Sequence, residues 1–209
     1  MKVAVVGGTG SFGRGLAVRL AAAGVDDVII GSRDEQRARA AASELGSDRV
    51  TGAANAHAVR GVDLAVLAVK ADAALDTARE LAAPLDGTPL LSVASALEVR
   101  KGVGAVPDPE ARSLAERVQA LVSGPVVAGL HSIAAANLTE EPPDEDAFVC
   151  GDDAGAKALA LELAERVVGG RALDVGPLAT ARALEGLTAV IVNLNRRYKG
   201  HAGIRVTGL

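Results

Sequence analysis

The feature that most constrains the fold is an apolar segment that ends in a glycine-rich turn and continues into a helix-forming stretch. The segment Val3–Val6 is followed by Gly7-Gly8-Thr9-Gly10-Ser11-Phe12-Gly13 and then by residues rich in Ala, Leu and Arg. A second apolar run, Val28–Ile30, comes next. This order of strand, turn, helix and strand, with glycines in the G-x-G-x-x-G spacing, is typical of the first half of a dinucleotide-binding unit.

Each glycine of this pattern has its own expected role. Gly8 is expected to permit the tight turn, and Gly10 to let a pyrophosphate approach the backbone, since it has no Cβ. Gly13 is expected to let the helix lie close to its strand. The phosphates would then bind at the helix N-terminus, where free N–H groups and the helix dipole favour an anion.

The end of the second strand indicates which dinucleotide binds. An NAD site has an acidic residue there for the ribose hydroxyls, whereas this chain has Ser32 and Arg33. Arg37 follows one helical turn later, so both guanidinium groups can meet one phosphate while Ser32 donates its hydroxyl. This arrangement predicts NADP(H). The alternative is that Arg33, Arg37 and Arg39 only form a solvent-exposed helix face beside Asp34 and Glu35.

Composition excludes some partners. The chain has 209 residues, enough for one dinucleotide-binding domain with a modest appendage. Its only aromatic residues are Phe12, Phe148 and Tyr198, and its net charge is −4. Few rings for base stacking and a mildly acidic charge argue against nucleic-acid binding.

The cysteine count and the apolar segments bear on location. Cys150 is the single cysteine, so it has no partner for an intrachain disulfide or a zinc-binding thiol pair. The N-terminus shows no signal-peptide pattern, and the longest apolar runs are too short for a bilayer. We therefore expect a cytoplasmic protein with no membrane partner and no metal site.

The order of elements predicts an α/β fold of the Rossmann type, with a doubly wound, mostly parallel sheet and a small helical C-terminal cap. Residues 1–150 are predicted to form the NADP-binding domain, and residues 151–209 a helical segment that closes the cleft. Arg100–Asp108 is predicted to be a loop, Glu110–Leu121 a helix and Asp174–Pro177 a connector.

A second site is expected where the central strands end, because ligands of open α/β sheets bind beyond the carboxyl ends of the strands. His131 is the only histidine at such an end, where it could donate a hydrogen bond to a substrate or be satisfied by a neighbouring backbone group. Lys70 could pair with an anion or simply extend into solvent. The segment 193–209 has four cations, including Arg197, and no acid. It indicates either an anionic ligand or favourable cations at a helix C-terminus.

Longer motifs give the chain a resemblance to a known family. They are Gly7–Gly10 with Gly13 and Gly15, Gly31–Arg33, Leu130–Ile133, Val149–Asp153, Ala172–Leu178, Glu185–Asn193, and Asn195–Lys199 with His201–Gly203. In these motifs, which run nearly end to end, the chain resembles the NADPH-dependent coenzyme F420 reductases. The resemblance implies reversible hydride transfer between the nicotinamide C4 of NADP(H) and C5 of the deazaflavin F420.

The resemblance also implies site residues. The phosphate loop corresponds to Thr9, Gly10, Ser11 and Phe12, the 2′-phosphate pocket to Ser32, Arg33 and Arg37, and the nicotinamide end to Ala71, Leu75, Leu97 and Ala135. The F420 side is expected to involve His131, Ser132, Arg197 and the backbone of Ala202. No side chain is assigned as a catalytic acid or base, because hydride transfer depends on ring proximity and water exclusion. A homodimer is also implied.

Three residues in two motifs depart from the family pattern near the ring pocket. Lys70 and Ala71 stand where the family usually has Pro and Trp, and Ala134 stands where Pro is common after the histidine motif. Two other functions therefore remain open. The chain could be an NADPH-dependent reductase of another acceptor, such as a flavin, quinone or imine, or an NADP(H)-binding sensor without turnover.

Overall fold

The apolar runs form the centre of an eight-stranded sheet in a computed structural model of the protein, which describes all 209 residues. The strands are β1 (Lys2–Val6), β2 (Asp27–Ser32), β3 (Val50–Ala54), β4 (Leu64–Leu67), β5 (Leu90–Ser92), β6 (Leu97–Arg100), β7 (Gly104–Pro107), β8 (Val126–Gly129), β9 (Ala147–Gly151) and β10 (Ala172–Asp174). The sheet order is β10-β9-β8-β5-β4-β1-β2-β3, and β6 and β7 form a separate hairpin.

Seven helices cover the two faces of the sheet. They are α1 (Ser11–Ala22), α2 (Glu35–Glu44), α3 (Asn55–Ala58), α4 (Ala71–Leu85), α5 (Leu114–Gln119), α6 (Ala154–Val167) and α7 (Ala181–Tyr198). One core lies between the sheet and α1, α2 and α6, and the other between the sheet and α3, α4, α5 and α7. None of these helices combines the length and apolar character needed to cross a bilayer.

The central strands are buried on both faces, as continuous apolar runs predict. All four residues of β4 are fully buried, as are Val3–Val6 of β1. Neighbouring strands are parallel except β8 and β9, which pair antiparallel, so β9 and β10 run against the rest. The predicted doubly wound, mostly parallel sheet is confirmed.

The glycine turn differs from the prediction in one detail. Gly7 has the left-handed backbone, with φ of +81°, so Gly7 and not Gly8 makes the tight turn. Gly8 has no room for a side chain, because a Cβ there would lie 2.9 Å from both Ile30 Cγ2 and the Val5 carbonyl oxygen. A Cβ on Gly13 would lie 2.6 Å from the Gly7 carbonyl oxygen, so α1 packs directly on the turn.

Two local predictions between 97 and 121 were wrong, and both depend on α7. The predicted loop Arg100–Asp108 is largely a β-hairpin, whose strand β7 bonds through both the N–H and the carbonyl of Ala105 to the side-chain amide of Asn193, each at 2.8 Å. The predicted helix Glu110–Leu121 begins only at Leu114, where Glu185 accepts the N–H groups of Leu114 and Ala115. These partners lie 70 or more residues away, so local patterns do not reveal them. The start of α5 also has a local signal that the sequence analysis did not use, a capping box formed by Ser113 and Glu116.

The segment 151–209 divides between the layers. Helix α6 packs on the same face as α1, and β10, a strand that the sequence analysis did not predict, extends the sheet beside β9. Helix α7 lies on the opposite face, with α4 and α5. The chain end is held at Asp146, a buried carboxylate that accepts bonds from Arg171 and from the Val206 N–H. These donors hold the pKa of Asp146 well below its usual range.

Candidate functional site

A long polar cleft of about 900 Å³ opens at the carboxyl ends of β1 and β4. The two strands are neighbours, but the chain continues from β1 to β2 on one side and reaches β4 on the other. Such a switch point is where open α/β sheets bind ligands, since the following helices lie on opposite faces and leave a crevice. The cleft is lined by Gly7, Thr9, Gly10, Ser32, Arg33, Asp34, Arg37, Asn55, Ala68, Val69, Lys70, Asp72, Ala73, Asp76, Thr77 and Glu80.

The N-terminus of α1 supplies free donors to this cleft. Gly10 is the N-cap and contributes no side chain, and the N–H groups of Thr9, Ser11 and Phe12 have no acceptor within the protein. A Cβ on Gly10 would meet only the Gly7 carbonyl, at 3.3 Å, so the side toward the cleft is open. An anion fits this end of the cleft, because free N–H groups and the helix dipole both favour negative charge.

Arg33, Arg37 and Arg39, in and just before α2, differ in their ion pairing. Arg39 pairs with Glu35 on the exposed surface of the helix, an i,i+4 ion pair. Arg33 and Arg37 have no ion pair, and both line the cleft beside Ser32. The Asp34 carboxylate is engaged elsewhere, since it caps α2 by accepting the Gln36 and Arg37 N–H groups. The cleft therefore holds two unpaired guanidinium groups at the end of β2.

A smaller, mostly apolar pocket of about 240 Å³ adjoins the cleft. The segments that follow β4, β5 and β8 meet there, with Phe12 from α1 and Thr188 from α7. It is lined by Phe12, Ala68, Val69, Lys70, Ala71, Val93, Ala94, Ser95, Leu97, Leu130, His131, Ile133 and Thr188. Ala68, Val69 and Lys70 line both cavities, so the pocket is an inner extension of the cleft.

His131 is the polar side chain most deeply set in the pocket. It is buried, and neither ring nitrogen has a hydrogen-bond partner. Burial lowers the pKa of its imidazole to about 4, although the nearby Ala94 backbone acts in the opposite direction. The imidazole is therefore a neutral group in the wall of the pocket, with both nitrogens buried and the Ala94 backbone beside it.

The backbone before His131 is strained. Leu130 has φ of +63°, a left-handed conformation that costs a non-glycine residue roughly 1–3 kcal/mol. Its buried side chain and the bond of its N–H to the Phe148 carbonyl hold it there. This turn ends β8 and directs the chain toward the pocket.

Helix α7 closes the pocket from the opposite side. Thr188 donates its hydroxyl to the His131 carbonyl at 2.9 Å and lies 2.7 Å from the Ser95 hydroxyl. Sequence reasoning missed Thr188, which interrupts the apolar stripe of this helix. A hydroxyl within such a stripe was the one available signal.

Comparisons with known proteins identify the family. Residues 2–96 match the family model described as NADP oxidoreductase, coenzyme F420-dependent. The chain is 38% identical to an F420-dependent NADP reductase of Methanothermobacter marburgensis, over 100% of this chain and 99% of the relative. The corresponding reductase of Methanocaldococcus jannaschii is 35% identical over 100% and 99%. The chain belongs to the family of F420-dependent NADP reductases.

A solved structure extends the comparison to the whole fold. The crystal structure of a putative F420-dependent NADP reductase from Arthrobacter sp. FB24 superposes with a TM-score of 0.85. It is 29% identical to this chain, and each chain is covered completely. The family assignment therefore includes the C-terminal segment as well as the glycine turn.

The residues predicted for the ring pocket separate into two groups. Ala71, Leu97 and His131 line the inner pocket. Leu75 and Ala135 are half-buried outside its lining. Ser132 is buried and donates its hydroxyl to the Asp146 carbonyl.

The two C-terminal residues predicted for the acceptor lie outside both cavities. Arg197 is exposed in the last turn of α7. Ala202 donates its N–H to Asn195 Oδ1 at 2.6 Å. The structure therefore brings together the residues from the strand ends, but not these two.

We expect His131 to stay neutral far below the usual range of a histidine. Because the unfolded chain binds this proton at a higher pH than the folded protein, the free energy of unfolding should fall as the pH drops from 6.5 toward about 4. Long-range ¹H–¹⁵N NMR of the ring nitrogens measures the titration directly. A midpoint near 6.5 would show that solvent reaches the ring.

Proposed function

We propose that this protein catalyses reversible hydride transfer between NADP(H) and coenzyme F420. The observation that carries the proposal is the continuity of two unlike cavities. A polar cleft with free N–H groups and unpaired arginines opens through Ala68, Val69 and Lys70 into an apolar pocket. An anionic dinucleotide fits the first cavity, and the mostly apolar lining of the second suits a ring. The names of the relatives supply the two coenzymes.

The proposed cofactor site follows the cleft. The backbone of Thr9, Gly10, Ser11 and Phe12 would bind the pyrophosphate at the N-terminus of α1. Ser32, Arg33 and Arg37 would bind the 2′-phosphate, since planar guanidinium groups match phosphate oxygens. In support, these two arginines face the cleft unpaired, whereas Arg39 is held by Glu35.

The proposed transfer takes place at the inner pocket. When bound, NADPH supplies a hydride from the nicotinamide and F420 accepts it at C5 of the deazaflavin. Ala71, Leu75, Leu97 and Ala135 would surround the nicotinamide end, where small and aliphatic side chains leave room for stacked rings and exclude water. Hydride addition leaves one negative charge on the deazaflavin ring, and a proton from solvent neutralises it. No side-chain acid is therefore required, and orientation is the protein's contribution.

On the acceptor side, His131 has the strongest support. Its neutral imidazole brings no charge into the apolar pocket, and it would donate a hydrogen bond to a ring carbonyl once a bound ligand exposes one of its buried nitrogens. Contacts of F420 with Ser132, Arg197 and Ala202 stay predictions. For Arg197 the supporting argument is charge, since F420 is anionic.

Helix α7 is the part of the segment 151–209 that we propose to close the cleft. Thr188 attaches it to the pocket, and Asn193 attaches it to the hairpin that follows Leu97. The predicted division of the chain at residue 150 stays a proposal. We assign only α7 to the closing segment, because α6 packs on one face of the main sheet and β10 is one of its strands.

The activity is tested by mixing purified protein with NADPH and oxidised F420 and following the absorbance of each, beside the same assay with FMN. We expect rapid bleaching of F420 and none of FMN. Bleaching of FMN alone would indicate an acceptor other than F420. NADPH binding without bleaching of either would favour the sensor.

Replacing Arg33 by Ala should raise the KM for NADPH about tenfold and leave the KM for NADH nearly unchanged, because only NADPH has a 2′-phosphate. A charge-assisted hydrogen bond contributes about 1.5–3 kcal/mol, and solvent at this exposed site favours the lower end. Steady-state kinetics with both cofactors measure the difference.

Arg39→Ala is the matched control, because Arg39 lies on α2, the helix that follows Arg33, but is paired with Glu35. It should change neither KM. Equal losses for NADPH and NADH in the Arg33 variant would contradict the 2′-phosphate site.

We also propose that the protein is a homodimer. An apolar surface, defined here as the dimer patch, is exposed on α7 and on the hairpin that α7 contacts. It consists of Val99, Val103, Val190, Leu194 and Tyr198, which are 72%, 66%, 53%, 39% and 73% exposed. Val190, Leu194 and Tyr198 lie on one helix stripe, at intervals of four residues. Surfaces of this kind mark protein interfaces.

Leu194→Asp should convert the dimer to a monomer, because a dimer would bury the introduced carboxylate without a partner. Light scattering after size-exclusion chromatography measures the mass. Leu209→Asp changes an exposed leucine outside the dimer patch and should leave the mass unchanged. A wild-type monomer would contradict the proposal.

We propose a cytoplasmic location as well. Its support is Cys150, which is buried and has no second cysteine to pair with. Burial raises the pKa of its thiol to about 11, so it remains an unreactive thiol of the kind that reducing compartments preserve. Fractionation of the native cells tests the location.

A further inference from the structure

Lys70 is the one charged residue that lines both cavities. Of the three residues shared by the cleft and the inner pocket, Ala68 and Val69 are apolar. Lys70 is exposed and forms the N-cap of α4, directly after the end of β4. Its side chain therefore starts at the junction where a dinucleotide would pass from its phosphates to its nicotinamide.

The ammonium group of Lys70 has no partner in the protein. It forms neither an ion pair nor a hydrogen bond, in contrast to Arg14 of α1 and Arg79 of α4. Arg14 pairs with Glu44 at 2.7 Å, and Arg79 pairs with Asp76. A long, flexible side chain with a free charge at a cavity junction is available to a ligand.

The glycine turn lies against the segment that leads to Lys70. A Cβ on Gly7 would be 2.8 Å from both the Ala68 carbonyl oxygen and Val69 Cγ1. The turn itself, residues 7–13, contains no charged side chain, and the first cation after it, Arg14, is already paired. Pyrophosphate at the N-terminus of α1 would thus receive N–H donors but no cation from its own loop.

The cleft also contains acidic side chains, so phosphate groups bound there need a nearby cation. Asp72, Asp76 and Glu80 line the cleft along α4, and only Asp76 is paired. Their charge would repel the phosphates of a dinucleotide. Arg33 follows β2 and Arg37 lies in the first turns of α2, where both are proposed to bind the 2′-phosphate. Neither is therefore assigned to the pyrophosphate.

We propose that Lys70 is a binding residue for the pyrophosphate of NADP(H), reaching from the start of α4 to the glycine turn. The inference rests on the proposed binding of NADP(H) in the cleft. It assigns separate cations to the two phosphate groups: Lys70 to the pyrophosphate, and Arg33 with Arg37 to the 2′-phosphate.

The test compares the binding of two ligands in the absence of F420. NADP⁺ contains both phosphate groups, whereas adenosine 2′-monophosphate contains only the 2′-phosphate. Lys70→Met removes the ammonium and keeps an aliphatic stem of similar length. By isothermal titration calorimetry we expect Kd for NADP⁺ to rise about three- to tenfold and Kd for adenosine 2′-monophosphate to stay unchanged.

Three further variants make the result specific. Lys70→Arg should retain most of the affinity for NADP⁺, because it keeps the charge. Lys101→Ala, an exposed lysine of the hairpin outside both cavities, should change neither Kd. Arg33→Ala should weaken both ligands, and if it weakens neither, the proposed cleft is wrong rather than the role of Lys70.

The inference on Lys70 is overturned by two results. One is an unchanged Kd for NADP⁺ in Lys70→Met, including the case in which only the KM for F420 rises and the lysine serves the acceptor. The other is an equal loss for both ligands, which would indicate a general effect on the cleft. Neither result depends on whether F420 is the acceptor.

Discussion

The close packing of α1 on the turn after β1 is the constraint on which the rest of the site depends. The absence of a side chain at Gly13 lets the helix lie against the Gly7 carbonyl, and Gly7 in turn lies against the Ala68 carbonyl at the end of β4. Three elements therefore converge within van der Waals distance at one sheet edge. Their free N–H groups and the neighbouring strand ends create the cleft, and close backbone packing leaves no alternative arrangement without a clash.

Helix α7 organises the other half of the molecule through three polar side chains. Glu185 holds the start of α5, Thr188 holds the backbone of His131, and Asn193 holds the hairpin through Ala105. Each contact satisfies backbone or hydroxyl groups that would otherwise be left without partners. Burial raises the pKa of Glu185, and the two N–H groups that it accepts act in the opposite direction. The helix thus links the pocket to elements far apart in sequence.

Charge is distributed unequally between the two cavities. The cleft contains exposed, unpaired cations, whereas the pocket contains an imidazole kept neutral by burial. This difference suits a ligand that is anionic at one end and bears a ring at the other. Apart from Lys70, which is exposed, the pocket has no charged lining residue, and this avoids the desolvation cost of a buried cation next to an aromatic ring. The strained backbone at Leu130 is a further local cost, held in place by packing around β8.

The sequence by itself determined the doubly wound sheet, the glycine turn and the presence of Ser32, Arg33 and Arg37 at the end of β2, because these depend on local periodicity and short spacing. It also determined the family through longer motifs. Only the tertiary structure decided which arginines are unpaired, that Gly7 makes the turn, that residues 97–107 form a hairpin and that α5 starts at Leu114. It likewise placed Thr188 in the pocket and Arg197 outside it. The placement of Thr188, the Asn193 contact with the hairpin and the Glu185 contact with α5 depend on partners tens of residues away, and such contacts have no local signature. The Arg39–Glu35 pair, the turn at Gly7 and the capping box of Ser113 and Glu116 are local, and the folded structure selects them from several local possibilities.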